Sequence, residues 1–320
     1  MRTGPSDNWA CIYVRSAVTS GVGLAVLSAT LSGFAVFIGA QGVREFPNPS
    51  AYTALRNTLV AFALLALIVR PGTFAQLRQL SSREKMGLAL LGIVGGSVPF
   101  VLFFEGLSRV GSGSAAVIQK TMFMWVAALA VLFLRERLTR GQLGAIGLLL
   151  VAQMLLGWPI QLGFGPGEIM ILVATLLWSV EVVLAKRLLA TVNSSLAATA
   201  RMSIGAAVLL GYLTAGGQVE ELTRLSSSQW GWAIGPSLLL LAYVLSWYAA
   251  LQRAPATTVT CLLTIGAPIT ALLSVLAGGG LPSTVQLAGF VILVGAALLV
   301  CILPWIAARP DRLEGARSSP

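Results

Sequence analysis

The sequence predicts an all-α membrane protein whose ten transmembrane helices form two inverted five-helix repeats, with both termini in the cytoplasm. Three observations predict this fold: apolar runs of membrane-spanning length recur along the 320 residues, the basic residues concentrate in alternate loops, and the two halves of the chain align. Hydrophobic residues make up 57% of the chain and charged residues 10%, whereas soluble domains carry about 25% charged residues. The apolar runs are continuous, which is typical of spanning helices and not of a membrane β-barrel.

Ten apolar runs are separated by segments rich in Gly and Pro, such as "FPNPS", "GFGPG" and "GGGLPS". The predicted spans are about 18–43, 51–70, 87–108, 112–134, 141–158, 168–190, 195–214, 230–251, 254–277 and 284–306. They divide the chain into a cytoplasmic N-terminal segment, a first repeat, an inter-repeat loop, a second repeat and a disordered cytoplasmic tail, at 1–17, 18–158, 159–167, 168–306 and 307–320.

The orientation follows from the distribution of Lys and Arg. Fifteen of the 21 basic residues fall in the termini and the loops on the same side, three fall in the opposite loops, and Arg56, Lys120 and Arg201 fall within spans. Because basic loops stay in the cytoplasm, both termini are predicted to be cytoplasmic, in a bacterial inner membrane.

Several classes of function are excluded by composition. The net charge of +10 is scattered between apolar runs, unlike the basic face of a nucleic-acid-binding domain. The chain has no His, and its two Asp residues, Asp7 and Asp311, lie near the ends, so it lacks the residues of a Ser/His hydrolase or a zinc protease. Three scattered Cys predict neither a disulfide framework nor a metal site. No nucleotide-binding GxxxxGK[ST] motif is present. We therefore expect no enzyme activity, cofactor or metal.

The two halves align at nearly one offset. A shift of 144 places 103–116 over 247–260 and 141–150 over 285–294, and a shift of 145 pairs Asn48 with Asn193 and Arg56 with Arg201. Since each copy has an odd number of spans, the second copy enters the membrane from the opposite side. Inverted repeats recur in secondary transporters, where rocking of the two halves exposes a central site to each side in turn. The alternative is an old duplication kept only for packing.

Several motifs carry a family resemblance. They are "WSVEVVLAKRLL" at 178–189, an arginine in the second span of each repeat, "LFLRERLTRGQLGAIGLLLVAQMLL" with Glu136, and "IGAPITALLSVL" with Pro268. The chain thus resembles the EamA branch of the drug/metabolite transporter superfamily over nearly its whole length. The resemblance implies a cavity lined by the first, third, fourth, sixth, eighth and ninth helices. Departures from the pattern are Gly33 in place of an opening Trp, Met124 opposite Pro268, and Gly280 opposite Glu136.

Two charges near the middle of the bilayer are the main candidates for a functional site, because a charged side chain there costs about 2.5–3.5 kcal/mol on insertion scales. Their repeat equivalents are uncharged, Thr264 for Lys120 and Val36 for Glu181, so the duplicated architecture does not require them. Lys120 is expected to bind a carboxylate or phosphate of the substrate, or to form an ion pair with Glu181 that fixes helix packing. A zwitterionic substrate could also open such a pair. Glu181 is a further candidate for proton coupling.

The remaining candidates surround these two. Gln119 precedes Lys120, Trp178 lies one turn before Glu181, and Trp247 is a candidate for the cavity wall. A gate or structural role is expected for three other charges: Arg56, Arg201 and Glu136. The arginines are expected to snorkel or to bind carbonyl groups of a neighbouring helix.

These observations predict a secondary-active exporter of small metabolites, amino-acid-like or other organic solutes, driven by a proton gradient or by exchange. The expected partners are the substrate, H+ and the bilayer, with no nucleic acid, and a homodimer stays open. The alternatives are a translocase of lipid or lipid-linked sugar and a non-transporting receptor or assembly protein.

Overall fold

The computed structural model describes residues 5–68, 77–110, 112–157, 165–278 and 280–307. Within these ranges all regular structure is helical. The α-helices in chain order are α1 (Pro5–Gly42), α2 (Pro49–Ile68), α3 (Ser82–Gly96), α4 (Val98–Leu107), α5 (Ser112–Lys120), α6 (Met122–Leu129), α7 (Arg140–Leu156), α8 (Pro166–Leu188), α9 (Ser194–Ala215), α10 (Ser227–Arg253), α11 (Ala256–Leu263), α12 (Gly266–Leu276) and α13 (Thr284–Ala307). Residues 1–4 of the predicted N-terminal segment, 159–164 of the predicted inter-repeat loop and 308–320 of the predicted tail lie outside the described residues.

Nine helical stretches of the described chain are long and apolar enough to cross a membrane. Three of them are built from two helices each: α3 with α4, α5 with α6, and α11 with α12. The predicted span 141–158 corresponds to α7, an apolar helix of 17 residues. At 1.5 Å per residue, α7 is about 26 Å long, a little shorter than the roughly 30 Å hydrocarbon layer.

Equivalent helices of the two halves begin with the same cap. A Ser or Thr side chain accepts a hydrogen bond from the backbone N–H three residues later, and a Glu or Gln side chain at that later position accepts one from the N–H of the Ser or Thr. The pairs are Ser81–Glu84, Thr139–Gln142, Ser226–Gln229 and Ser283–Gln286. The offsets of 145 and 144 found in the sequence relate the first pair to the third and the second to the fourth. The duplication therefore extends to local structure.

Helix packing joins one half of the chain to the other. The most extensive contacts are those of α1 with α10, α7 with α13, α2 with α9, α3 with α9, and α4 with α8. The two halves are therefore interleaved in one bundle, and neither half buries its apolar faces without the other.

The two helices of the ninth span, α11 and α12, are buried to different extents. We call the end where α10 stops and α11 begins the closed end, because Ala256 to Leu262 of α11 are all at most 5% exposed. In α12, which continues α11 toward the opposite end, only Gly266 is buried. Similarly, only Ala115 and Val117 are buried among residues 115–120 of α5. We call this second end the open end.

The crossing of α3 and α9 gives a test of the packing. A Cβ added to Gly205 would lie 2.6 Å from the carbonyl oxygen of Gly96, whereas one added to Gly211, on the same helix, would meet nothing within 4 Å. Because overpacking costs about 1–3 kcal/mol, Gly205→Ala should lower the melting temperature of the detergent-purified protein by several degrees. Gly211→Ala should leave it unchanged or raise it slightly. If the two variants change the melting temperature equally, α3 and α9 do not approach each other as closely as described here.

Candidate functional site

The two halves interrupt their fourth span at the same place. In the first half, α5 ends at Lys120 and α6 begins at Met122, and in the second half the turn between α11 and α12 lies at Thr264 and Ile265. The threonine at each break donates its hydroxyl to the carbonyl three residues earlier, Thr121 at 2.7 Å and Thr264 at 2.6 Å. The backbone keeps helical dihedral angles at both places, with φ and ψ of −71° and −6° at Thr121 and −61° and −23° at Thr264. Each interruption is therefore a tightening of one continuous helix, in which the N–H groups of Thr121 and Thr264 donate to carbonyls three residues earlier. Such a 3₁₀ turn within a helix often marks a functional hinge.

Lys120 is the last residue of α5 and lies directly at the first break. Its side chain is half-buried, as is that of Gln119. Within the described part of the chain, no hydrogen bond or ion pair joins Lys120 to another residue.

Glu181 forms a compact buried cluster with residues from three other helices. One oxygen of its carboxylate, Oε1, accepts hydrogen bonds from Arg201 Nε at 3.2 Å and from the Tyr248 hydroxyl at 2.6 Å. The carbonyl oxygen of Gly95 accepts from Arg201 Nη2 at 3.1 Å and from Trp178 Nε1 at 3.3 Å. A Cβ on Gly95 would overlap Cγ of Glu181, so the cluster requires glycine at this position.

The ion pair of Glu181 in this structure differs from the one considered in the sequence analysis. Glu181 pairs with Arg201 and not with Lys120. Glu181 lies seven residues before the end of α8, and Arg201 lies seven residues after the start of α9. Because the two helices are connected by a short turn, both residues lie about 10 Å from it and face each other. Equal spacing from this turn was the sequence signal that could have identified the pair.

The two tryptophans predicted to line the cavity pack inside the bundle. Trp178 is 7% exposed and contacts the ring of Phe100 edge-on at 5.3 Å. Trp247 is 5% exposed, and its ring stacks on that of Tyr243 at 6.2 Å. Contact of either side chain with substrate stays a prediction.

Arg56, the repeat equivalent of Arg201, has a different environment. Its guanidinium lies over the ring of Tyr52 at 5.2 Å, and its buried Nε makes no hydrogen bond. Val36 occupies the position equivalent to Glu181, so the ion pair of the second half has no counterpart in the first. The gate or structural role expected of Arg56 stays a prediction.

Three charged side chains connect helix ends at the closed end. The Glu136 carboxylate accepts hydrogen bonds from the backbone N–H groups of Ala256 at 2.7 Å and Thr257 at 3.3 Å. Lys186, which the sequence argument did not single out, donates to the carbonyls of Leu251 at 2.6 Å and Ala254 at 2.8 Å. Next to it, an Arg187 nitrogen lies 2.6 Å from the carbonyl of Phe133. These contacts join the ends of the fourth, sixth and eighth spans and the start of the ninth. Among the described residues, no group of His, Cys, Asp and Glu could hold a metal ion.

Comparison with known proteins gives a family match and a fold match. A model of the EamA-like transporter family matches residues 19–158 and, a second time, residues 165–302. Chains of solved structures also match, 29 in all. One of them, described only as "Crystal structure of protein", is 19% identical with a TM-score of 0.69, and the match covers 90% of this chain and 97% of that one. At that identity the likeness concerns the fold alone. No curated protein matches.

The buried ion pair can be tested against an exposed one. Side-chain exposure is 15% for Arg201 and 5% for Glu181, compared with 52% for Arg109 and 43% for Glu105 in the pair at the end of α4. Removing one partner of a buried pair costs about 3–5 kcal/mol, whereas exposed pairs contribute about 0–1 kcal/mol. Arg201→Ala should therefore lower the melting temperature far more than Arg109→Ala does.

A double variant provides the control. Glu181→Gln combined with Arg201→Gln leaves no uncompensated charge, so it should melt above Arg201→Ala. If the variants at Arg201 and Arg109 melt alike, the ion pair with Glu181 does not stabilise the bundle.

Proposed function

The chain belongs to the EamA-like transporter family, and from this premise we propose that it is a secondary-active exporter of small organic solutes that carry a carboxylate or phosphate group. The observation that carries this proposal is Lys120, a half-buried cation at an interrupted membrane helix for which the described residues provide no counter-ion. A substrate anion would supply that missing charge.

The charge balance near the middle of the bundle favours an anion. Glu181 and Arg201 neutralise each other, which leaves Lys120 as an uncompensated positive charge. In a medium of low dielectric constant, the attraction between a lysine and an anion is much stronger than in water. Gln119, next to Lys120, is our candidate for a neutral contact with the same substrate.

The proposed transport cycle is alternating access between two inverted repeats. The loops at the closed end hold most of the basic residues, so the positive-inside rule places this end in the cytoplasm. The conformation described here would then face outward, with both termini cytoplasmic, in a bacterial inner membrane. This assignment rests on charge distribution and on the unequal packing of α11 and α12.

The proposed driving force is a proton gradient or exchange. Glu181 is the buried carboxylate of the described spans, and its protonation would break the ion pair with Arg201. We therefore propose Glu181 as the proton-carrying group if transport is coupled to protons. A change in the protonation of Glu181 would then alter the hydrogen bond that it accepts from Tyr248. It would also affect the Gly95 carbonyl, which accepts from both Arg201 and Trp178.

Ligand-dependent melting of the purified protein tests the role of Lys120. A solute at 100 times its dissociation constant stabilises the folded state by about 2.7 kcal/mol. In a panel of carboxylates, phosphates, amino acids and organic cations, we expect an anionic solute to raise the melting temperature of the wild type but not of Lys120→Met. The matched control is Lys85→Met, because Lys85 is exposed near the start of α3, and this variant should respond like the wild type.

The melting temperature without ligand separates the two possible roles of Lys120. Replacing an unpaired cation in the bilayer by an apolar side chain removes a desolvation cost, so Lys120→Met should melt no lower than the wild type. A variant that melts much lower but keeps the ligand response would show that Lys120 has a structural role and does not bind substrate.

A transport assay in proteoliposomes tests proton coupling. The double variant Glu181→Gln with Arg201→Gln leaves no uncompensated charge, and its residue 181 keeps an oxygen that can accept from Tyr248 but cannot carry a proton. We expect this variant to lose accumulation driven by a pH gradient while it keeps exchange of labelled for unlabelled solute. Equal loss of both activities would contradict proton coupling through Glu181 and leave it a structural role.

A further inference from the structure

Glu136 caps a helix of the other repeat. The carboxylate follows the end of the fourth span, and it accepts hydrogen bonds from the first two backbone N–H groups of α11, those of Ala256 and Thr257. We call this contact the latch. A carboxylate at a helix N-terminus satisfies unpaired N–H groups and interacts favourably with the helix dipole. The latch therefore holds the closed end of the bundle through two charge-assisted hydrogen bonds.

The backbone before Glu136 is specialised for this contact. Ala130–Leu134 forms a π-helical turn, and the Glu136 N–H donates to the carbonyl of Ala130 at 3.2 Å. Arg135, between them, has a φ of 56°, and it is the only residue other than glycine with a positive φ among those described. A left-handed residue commonly ends a helix, although glycine usually fills this position because a side chain makes the conformation less favourable. Here it turns the chain so that Glu136 meets α11.

The repeat offers no equivalent contact at the open end. With the offset of 144, Ala256 corresponds to Ser112, the first residue of α5, and Glu136 corresponds to Gly280. In inverted repeats, the opposite conformation exchanges the roles of the two halves. Closing the open end would therefore bring residue 280 toward the N-terminus of α5. Because residue 280 is glycine, no carboxylate would be present there to accept hydrogen bonds from the N–H groups of α5.

From this asymmetry we propose that Glu136 is a positioning residue that fixes the resting conformation. It latches the cytoplasmic end shut, and because Gly280 cannot latch the other end, the unliganded transporter rests facing outward. Binding of substrate and the driving ion must then break the latch for the protein to face the cytoplasm. This inference rests on the proposed alternating access.

The chain permits a direct test of the asymmetry, because position 280 has room for a side chain. Gly280 is exposed, its φ is not in the left-handed region, and a Cβ there would meet nothing within 4 Å. Gly280→Glu would supply the missing carboxylate to the outer end without touching the latch. Glu136→Ala removes the latch, and Glu136→Gln keeps an acceptor oxygen but loses the charge.

Distances between spin labels, measured by pulsed electron paramagnetic resonance without substrate, give the resting conformation. In a background without native cysteines, one label pair at the exposed positions Arg137 and Arg253 spans the closed end, and one at Ser108 and Ala277 spans the open end. We expect a single dominant distance for each pair in the parent protein. Glu136→Ala and Gly280→Glu should each add a population with a longer distance at the closed end and a shorter distance at the open end. In the double variant this population should be the larger one. Glu136→Gln should lie between the parent and Glu136→Ala.

Each result either supports or overturns the inference. If Glu136→Ala lowers the melting temperature but leaves both distance distributions unchanged, Glu136 only stabilises the fold. If Gly280→Glu folds and the distance distributions of both label pairs stay unchanged, the asymmetry of the repeats does not set the resting state. If the two pairs change in the same direction, alternating access itself is wrong, whereas the ligand response of Lys120 is measured independently of both.

Discussion

The bilayer imposes one constraint on which the whole site depends: a charged side chain inside it must form an ion pair, contact water or bind a ligand. Glu181 satisfies the constraint by pairing with Arg201 and by accepting a hydrogen bond from Tyr248. Lys120 has no such partner in the ranges that the structure describes, and it lies where a membrane helix is interrupted. A cation in this position is a cost to folding unless a ligand offsets it. This contrast between the two charges is the basis for proposing that Lys120 binds the substrate anion.

The same contrast shows why duplication alone does not define the function. The caps, the helix starts and the breaks of the fourth and ninth spans all repeat with offsets of 144 or 145 residues. The charges do not repeat, since Lys120 corresponds to Thr264, Glu181 to Val36 and Glu136 to Gly280. Architecture is therefore shared between the halves, whereas the proposed binding and gating roles belong to Lys120 and Glu136, which have no charged equivalent in the other half. Two identical inverted halves would populate the two end states equally, so a preference for one resting state requires an asymmetry of this kind.

Much of the fold could be predicted from sequence, because long apolar runs and Gly- or Pro-rich segments are direct consequences of the membrane. Most span ends lie within a few residues of the helices observed, and the repeat offsets were correct. The interruption after Lys120 was not predicted, since no Pro or Gly marks it. The structure explains why glycine occupies position 33, where the family pattern places Trp. A Cβ there would lie 2.8 Å from the side chain of Ile269. Lys120 was the expected partner of Glu181 because both lie near the middle of the bilayer, although equal distances from the turn between α8 and α9 relate Glu181 to Arg201.

The most direct test of the central claim is the accessibility of position 120 to water from each side of the membrane. In a background in which Cys11, Cys261 and Cys301 are replaced, Lys120→Cys would be exposed to a membrane-impermeant thiol reagent in right-side-out and inside-out vesicles. The account predicts rapid labelling from the outer side, slow labelling from the cytoplasmic side, and protection by an anionic ligand identified with the wild type. Absence of labelling from both sides would contradict it, because residue 120 would then lie in lipid or in the packed core, where no solute could reach it.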